Sequence, residues 1–215
     1  MRSWTIIPAL LVSSFATGQT LGGSSAYNFL KLPNTPQLTG LGGINVSQTS
    51  NDVGMAFYNP SLLVPSMHTQ MNAVFNSFYA GIKTYHLSLG YRSEKLNTNF
   101  LWGLHYFNYG DIQATDATGN LLGSFHPTDW VMQVSASRRY LERWNYGFTL
   151  KFINSNYGLY RSNGMATDVS VLYNDTVHLF SASVLARNMA FPLKKYDGTT
   201  ADDLPLTLNW ELLND

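Results

Sequence analysis

The side chains that most often carry chemistry are scattered along this sequence. The five histidines are His68, His86, His105, His126 and His178, and no two of them have the HExxH spacing of a helical zinc site. The chain has no cysteine, which excludes disulfides and thiolate metal sites. We therefore expect neither a metal ion nor another cofactor.

Motifs for nucleophilic catalysis and phosphate binding are also missing. The sequence contains no G-x-S-x-G and no S-x-x-K, so acyl-transfer chemistry has no nucleophile motif. Gly40-Leu41-Gly42-Gly43 is followed by no Lys-Ser or Lys-Thr, as a phosphate-binding loop requires. These absences predict a protein that is not an enzyme.

The composition indicates a β-barrel membrane protein. Only 12% of the 215 residues are charged, about half of the roughly 25% usual in soluble domains, whereas 14% are aromatic. The mean hydropathy is nevertheless only −0.10, which suits strands with one apolar and one polar face. Thirteen basic and thirteen acidic residues balance, so no nucleic-acid partner is indicated.

The N-terminus has the pattern of a secretory signal peptide. Arg2 precedes the apolar run 6–12 and a small-residue site at 16–18, and we expect residues 1–18 to be removed on export. A buried N-terminal helix is the alternative. No other apolar stretch approaches the ~20 residues of a membrane helix, so strands would have to cross the bilayer.

Residues 19–66 are rich in Gly, Asn and Pro and lack the alternation of a strand. We predict an arm followed by a compact hatch, enclosed by the strands that follow. The motif residues of this hatch are Gly42, Gly43, Asp52, Asn59 and Pro60.

From residue 67 to residue 215, apolar and polar residues alternate with period two. This period predicts about eight antiparallel strands, each near the ~9–11 residues that cross a bilayer at a tilt. They cover 70–80, 82–92, 98–108, 129–139, 145–155, 165–174, 177–188 and a last strand from 206. Aromatic residues end many apolar faces, as at a membrane interface.

The predicted connections alternate in length. Those at 109–128, 156–164 and 189–205 are longer and would lie outside the cell, opposite the short turns. The strands of a soluble β-sandwich also alternate between apolar and polar residues, but its long and short connections do not lie at opposite ends of the sheets. The sequence therefore predicts an all-β transmembrane barrel in the outer membrane, in contact with lipid. If the outward face of the strands meets lipid, Leu150→Arg should destabilise the barrel, whereas Thr149→Arg on the inward face should be tolerated.

Polar side chains on the inward positions predict a network in the lumen that holds the hatch. Its members are His86, Arg92, His105, Arg139, Lys151, Asp168, Arg187 and Glu211.

An ordered series of motifs resembles a known family. The segments GGSSAYNFLKLP, DVGMAFYNPSLL, LHYFNYGDI, DATGNLLGSFHPTDW and LYRSNGMATDVSVLY are similar to those of the PorV/PorQ family. These are FadL-like outer-membrane barrels of the Bacteroidetes type IX secretion system. Pro36 and Gln37 replace the usual Ala-Arg of the hatch, and the chain ends near the eighth strand.

The resemblance implies a fourteen-stranded barrel, of which this chain would be the front part, without catalytic activity. It also implies a role in the surface attachment complex, where the barrel holds a PorZ-like protein beside PorV and PorU. The expected partner contacts in the long outer loops are Asp116, Gly119, Phe125 and Tyr196.

The alternative function is a FadL-like channel for an apolar or amphiphilic small molecule. It predicts an apolar pocket between the hatch residues Phe57 and Leu62 and the barrel wall.

Overall fold

The computed structural model describes residues 27–116, 118–158, 160–194 and 207–214, with side chains up to residue 189. The proposed signal peptide and the start of the arm lie outside these residues. The residues that the structure describes form ten strands: β1 Met71–Ser77, β2 Lys83–Ser93, β3 Thr98–Asn108, β4 Ile112–Thr115, β5 Leu121–Phe125, β6 Thr128–Tyr140, β7 Trp144–Tyr157, β8 Tyr160–Asp175, β9 Phe180–Lys194 and β10 Thr207–Asn214.

Eight of these strands form one antiparallel sheet in the order β1-β2-β3-β6-β7-β8-β9-β10. Each neighbour in the sheet is the next long strand along the chain, as short connections between antiparallel strands allow. The eight strands coincide with the eight segments of alternating sequence, so the prediction of an all-β chain is confirmed.

The sheet has two edges. In the described residues β1 pairs only with β2, and β10 pairs only with β9, so the strands do not close into a barrel. The non-strand region extends to Gln70, four residues beyond the predicted end of the hatch at 66.

The predicted long connection at 109–128 is present and contains the separate hairpin β4–β5. The predicted start of the last connection at 189 is wrong, since β9 continues to Lys194. The predicted loop at 156–164 is also wrong, because β7 and β8 pair as far as Tyr157 and Tyr160. Polar pairs such as Asn154 with Asn163 extend these strands beyond their apolar stretch. Backbone hydrogen bonds between strands form whether or not the side chains are apolar. The strands therefore continue beyond the residues that alternate between apolar and polar.

Burial along the main sheet is reversed relative to a soluble protein. On the apolar face, Phe148, Leu150 and Val184 are 48%, 44% and 55% exposed. On the polar face, Thr149 and Asp168 are fully buried. An N-terminal segment, residues 27–69, covers that polar face.

The N-terminal segment consists of short turns of helix interrupted by prolines. Its α-helix, α1, spans Pro36–Gly40 and is capped by the Thr35 side chain, which accepts from the Leu38 amide. Four 3₁₀ turns lie at Asn28–Lys31, Met55–Phe57, Pro60–Leu62 and Pro65–Met67. No helix in the described part of the chain is both long and apolar enough to span a membrane.

Candidate functional site: the polar face and the N-terminal segment

The Asn59-Pro60 dipeptide lies at the centre of the contact between the N-terminal segment and the sheet. The Asn59 side chain accepts from the Ser61 amide at 3.1 Å and donates to the Val46 carbonyl at 2.6 Å. The Ser61 amide also donates to Ser170 Oγ on β8 at 2.9 Å. The motif therefore folds the segment on itself and presents its backbone to the sheet.

The other motif residues have separate local roles. Gly42 and Gly43 end α1 with φ values of +82° and +88°, a conformation that glycine adopts without strain. Asp52 accepts from the Gly54 amide at 2.8 Å and from the Asn72 side chain of β1 at 3.2 Å. The glycines shape the segment, whereas Asp52 ties it to the wall.

Three of the predicted network residues form one buried charge cluster. Lys151 Nζ lies 2.6 Å from Asp168 Oδ2 and donates to Asn188 Oδ1 at 2.9 Å, and the Asn188 amide donates to Asp168 Oδ1 at 2.8 Å. Arg187 is 5% exposed and donates to the Leu30 carbonyl at 3.3 Å. The charges of β7, β8 and β9 thus reach the N-terminal segment through Arg187.

Tyr58 completes this contact from the N-terminal segment. The Arg187 guanidinium lies 4.2 Å from the centre of the Tyr58 ring, a cation–π geometry. Burial raises the pKa of Tyr58 above its ordinary value, so the phenol stays protonated and donates to the Leu32 carbonyl. Sequence reasoning did not assign Tyr58, because its partner is distant along the chain.

His86 and His105 lie side by side on β2 and β3, with ring centres 5.4 Å apart. His86 Nε2 is 2.8 Å from the Asn34 amide nitrogen, which can only donate, so Nε2 accepts. Phe57 packs edge-on against His86 at 4.6 Å. Both histidines pack against Phe57 of the N-terminal segment, and His86 also accepts a hydrogen bond from it.

Arg92 lies at the β2–β3 turn. Its side chain bonds to Glu94, Asn97 and Asn99, and its backbone amide donates to His68 Nδ1 of the N-terminal segment at 3.1 Å. Arg139 is exposed near the end of β6, where it lines a cleft together with Asn51, Val64 and other residues of the N-terminal segment. Glu211 lies in β10, whose side chains are outside the description. That all eight residues form one network stays a prediction.

A second buried carboxylate was missed. Asp129 on β6 accepts from Ser155, from Tyr109 at 2.7 Å and from Tyr157 at 2.9 Å. These groups hold the β3–β6 connection against the end of β7. The alternating pattern places Asp129 and Ser155 on the inward face. Tyr109 lies in a connection, where no alternation exists to show which way its side chain points.

Glycines on the inward positions provide the strongest missed signal. A Cβ atom added to Gly90 would collide with Met67, and one added to Gly103 would collide with Phe57. At Gly147 it would collide with Pro60 and Ser61, and at Gly164 it would crowd Tyr27. Glycine inside a strand often marks the close approach of another backbone. These four positions therefore trace the line of contact between the sheet and the N-terminal segment.

We predict that Gly147→Ala displaces the Pro60–Ser61 turn, since the new methyl group would overlap backbone atoms that cannot rotate away. The expected cost is about 1–3 kcal/mol of unfolding free energy, as for other overpacked sites. Denaturant titration together with protease cleavage within residues 44–64 would measure it. Gly40→Ala is the matched control, because nothing lies within 4 Å of its added Cβ. Equal stability of the two variants would contradict the contact.

The predicted outer-loop residues fall at the β4–β5 hairpin. Asp116 and Gly119 form its turn, where the Gly119 amide donates to the Asp116 carbonyl at 3.1 Å. Phe125 is half-buried, and its ring lies within 3.5–3.6 Å of a Cβ built on Gly158. It thus packs on the β7–β8 turn. Tyr196 lies outside the described residues.

The hairpin turn should loosen in acid. Hydrogen bonds from Thr118 and Asn120 lower the pKa of Asp116 from 3.8 to about 2. A lowered pKa means that the carboxylate stabilises the turn fully above pH 4 and loses this effect as the pH falls through 2. We expect the Thr118 and Asn120 amide NMR signals to titrate near pH 2 and to be displaced at neutral pH in Asp116→Ala. A midpoint near 4 would contradict the bonded turn.

The arrangement offers hydrogen bonds and packing, and the residues it brings together do not suit metal binding. No group of three or more potential ligand side chains could hold a metal ion in the described part of the chain. The site is the polar face of the β-sheet, which binds the folded N-terminal segment through hydrogen bonds and packing.

The chain matches no protein-family model, and a search of the curated proteins gives no match either.

Proposed function

We propose that this chain forms wall strands of an outer-membrane β-barrel, with the N-terminal segment as a hatch on the lumen side. The observation that carries this proposal is the reversed burial of the sheet, with apolar side chains exposed and polar ones buried. Lipid is a favourable environment for the exposed face, whereas water is not. Large exposed apolar surfaces on a protein mark a partner or a membrane.

We further propose a PorQ-type role in type IX secretion, in which the barrel holds a PorZ-like surface protein beside PorV and PorU. The sequence motifs support this role. The β4–β5 hairpin supports the position of the contact, since Leu121 and Leu122 are 67% and 70% exposed at its tip.

A channel for small molecules is the second candidate, and the packing at the predicted gate does not favour it. Phe57 and Leu62 are 2% and 1% exposed. Phe57 packs edge-on against both His86 and His105, so its ring is held against the sheet. A gate would have to break this packing first.

The anchoring role can be tested by removing residues 115–123 and measuring both membrane fractionation and co-purification of the PorZ-like protein. We expect the shortened chain to remain in the outer membrane and to lose the partner. Retention of the partner would exclude the hairpin as the contact.

A point variant separates partner binding from general surface effects. Leu121→Ser with Leu122→Ser should reduce co-purification strongly. The same change at Leu96 and Leu141, which are 56% and 70% exposed at the opposite end of the sheet, should not. An equal loss in both double variants would contradict a specific contact at the hairpin.

A further inference from the structure

A polar cleft lies at the end of the sheet opposite the β4–β5 hairpin, where the β6–β7 and β8–β9 turns are found. Residues 49–51 and 64–66 of the N-terminal segment form one wall, and Arg139 of β6 and Asn174 of β8 form the other. The volume of this turn-end cleft is about 540 Å³, within the range of small-molecule sites. It is therefore large enough to hold a small ligand.

Arg139 supplies the turn-end cleft with an unpaired cation. It lies opposite Asn145 in the strand pair, and the Asn145 side chain donates to the Leu63 carbonyl at 3.4 Å. Opposite residues of an antiparallel pair point to the same face, so Arg139 lies on the side that carries the N-terminal segment. In the described part of the chain its guanidinium has neither an ion pair nor a hydrogen bond. A guanidinium in this state is suited to a carboxylate, which it binds through two parallel hydrogen bonds.

Two asparagines add uncharged donors. Asn51 Oδ1 accepts from Ser66 Oγ at 2.8 Å, and Asn174 Oδ1 accepts from Ser181 Oγ at 3.0 Å. These bonds engage the oxygen of each side-chain amide and leave its N–H groups available to a ligand. The cleft thus offers hydrogen-bond donors on both walls, which favours an occupant rich in acceptors.

The charge of the cleft matches a single negative charge. Among the described residues that line it, Arg139 is the one cation and none is acidic. Asp175, next to Asn174, is already in an ion pair with Arg143 at 3.0 Å. A carboxylate therefore balances the Arg139 guanidinium, whereas a phosphate monoester carries about −1.5 to −2 at neutral pH.

We propose that the turn-end cleft binds the C-terminal carboxylate of a peptide, with Arg139 as its charged partner. A peptide terminus also brings backbone carbonyls beside the carboxylate, and these are acceptors for the amides of Asn51 and Asn174. Val64 and Pro65 give the same cleft an apolar surface for a small side chain. Binding requires only the contact between the N-terminal segment and the sheet, so it does not rest on the membrane or anchoring roles.

The test is a ligand-observed NMR titration of the full chain in detergent micelles with acetyl-trialanine and with acetyl-trialanine amide. The two probes differ only in the charge of the C-terminus. We expect saturable binding of the acid and about tenfold weaker binding of the amide, because the amide loses the charged hydrogen bonds to Arg139. This comparison uses the unaltered chain, so it does not depend on the folding of a variant.

Variants then locate the site. Arg139→Gln should weaken binding of the acid about tenfold and leave binding of the amide unchanged. Arg138→Gln is the matched control, since Arg138 is the neighbouring exposed residue of β6 and its side chain points to the opposite face. Asn174→Asp keeps an acceptor for Ser181 but places a negative charge in the cleft, so it should also weaken binding of the acid.

Three results would overturn the proposal. One is equal binding of the acid and the amide, and another is equal binding of the acid by the Arg139→Gln and Arg138→Gln variants. The third is displacement of the acid by acetate or inorganic phosphate as readily as by unlabelled peptide acid, which would indicate an anion site without recognition of a peptide. Vesicle flotation of the same chain tests membrane placement separately, so the failure of one proposal is distinguishable from the failure of the other.

Discussion

Leu150→Arg should destabilise the chain by about 2–4 kcal/mol in a bilayer, the cost of an arginine on the lipid face at mid-depth. Leu150 lies near the middle of β7 and points to the exposed apolar face, at 44% exposure. In water an arginine at so exposed a position would be nearly neutral. The variant therefore distinguishes lipid from water as the medium on this face.

The measurement is denaturant unfolding of the chain refolded into vesicles. Leu141→Arg is the matched control, since Leu141 is 70% exposed in the β6–β7 turn, where the lipid penalty falls to about 0–1 kcal/mol. A neutral result at Leu150 would remove the membrane proposal, because it would mean that water covers this face.

Thr149 cannot serve as the tolerant comparison that the sequence suggested. Its side chain is fully buried, and Oγ1 lies 2.8 Å from Ser135 Oγ. An arginine there would have to displace the N-terminal segment from the sheet. The alternating pattern identified the correct face but could not reveal that the face is covered.

Asp168→Leu should be the most damaging change at the polar face, at about 3–5 kcal/mol, as when one partner of a buried ion pair is removed. It leaves Lys151 and Arg187 buried without the carboxylate that lies beside Lys151 at 2.6 Å. The Asn188 amide also loses its acceptor. Unfolding in vesicles would give the free energy.

The double variant Lys151→Met with Asp168→Leu tests whether charge is the cause. Removing both charges should recover most of the loss, since apolar replacements of a buried pair are often neutral. Recovery requires that Arg187 keeps its contacts with Leu30 and Tyr58, which protease sensitivity of the N-terminal segment would report. A double variant as unstable as Asp168→Leu alone would indicate lost packing instead of unbalanced charge.

The sequence determined the strands of the sheet and the direction of their side chains. Period-two alternation locates β2, β3, β6 and β7 to within two residues, because each strand must present one apolar face along its length. It also assigned Lys151, Asp168 and Arg187 to the inward face, where the structure has them buried together. The alternation did not predict the strand ends or the β4–β5 hairpin, because the strands pair there through polar or exposed residues.

Only the tertiary structure decided which inward groups meet the N-terminal segment. Arg187 and Leu30 are 157 residues apart, and Gln133 donates to the Phe57 carbonyl across 76 residues. Such partners depend on how the segment folds over the sheet, and no local period encodes that path. The inward glycines are the one local feature of the sequence that indicates this path, because a glycine in a strand often marks the close approach of another backbone.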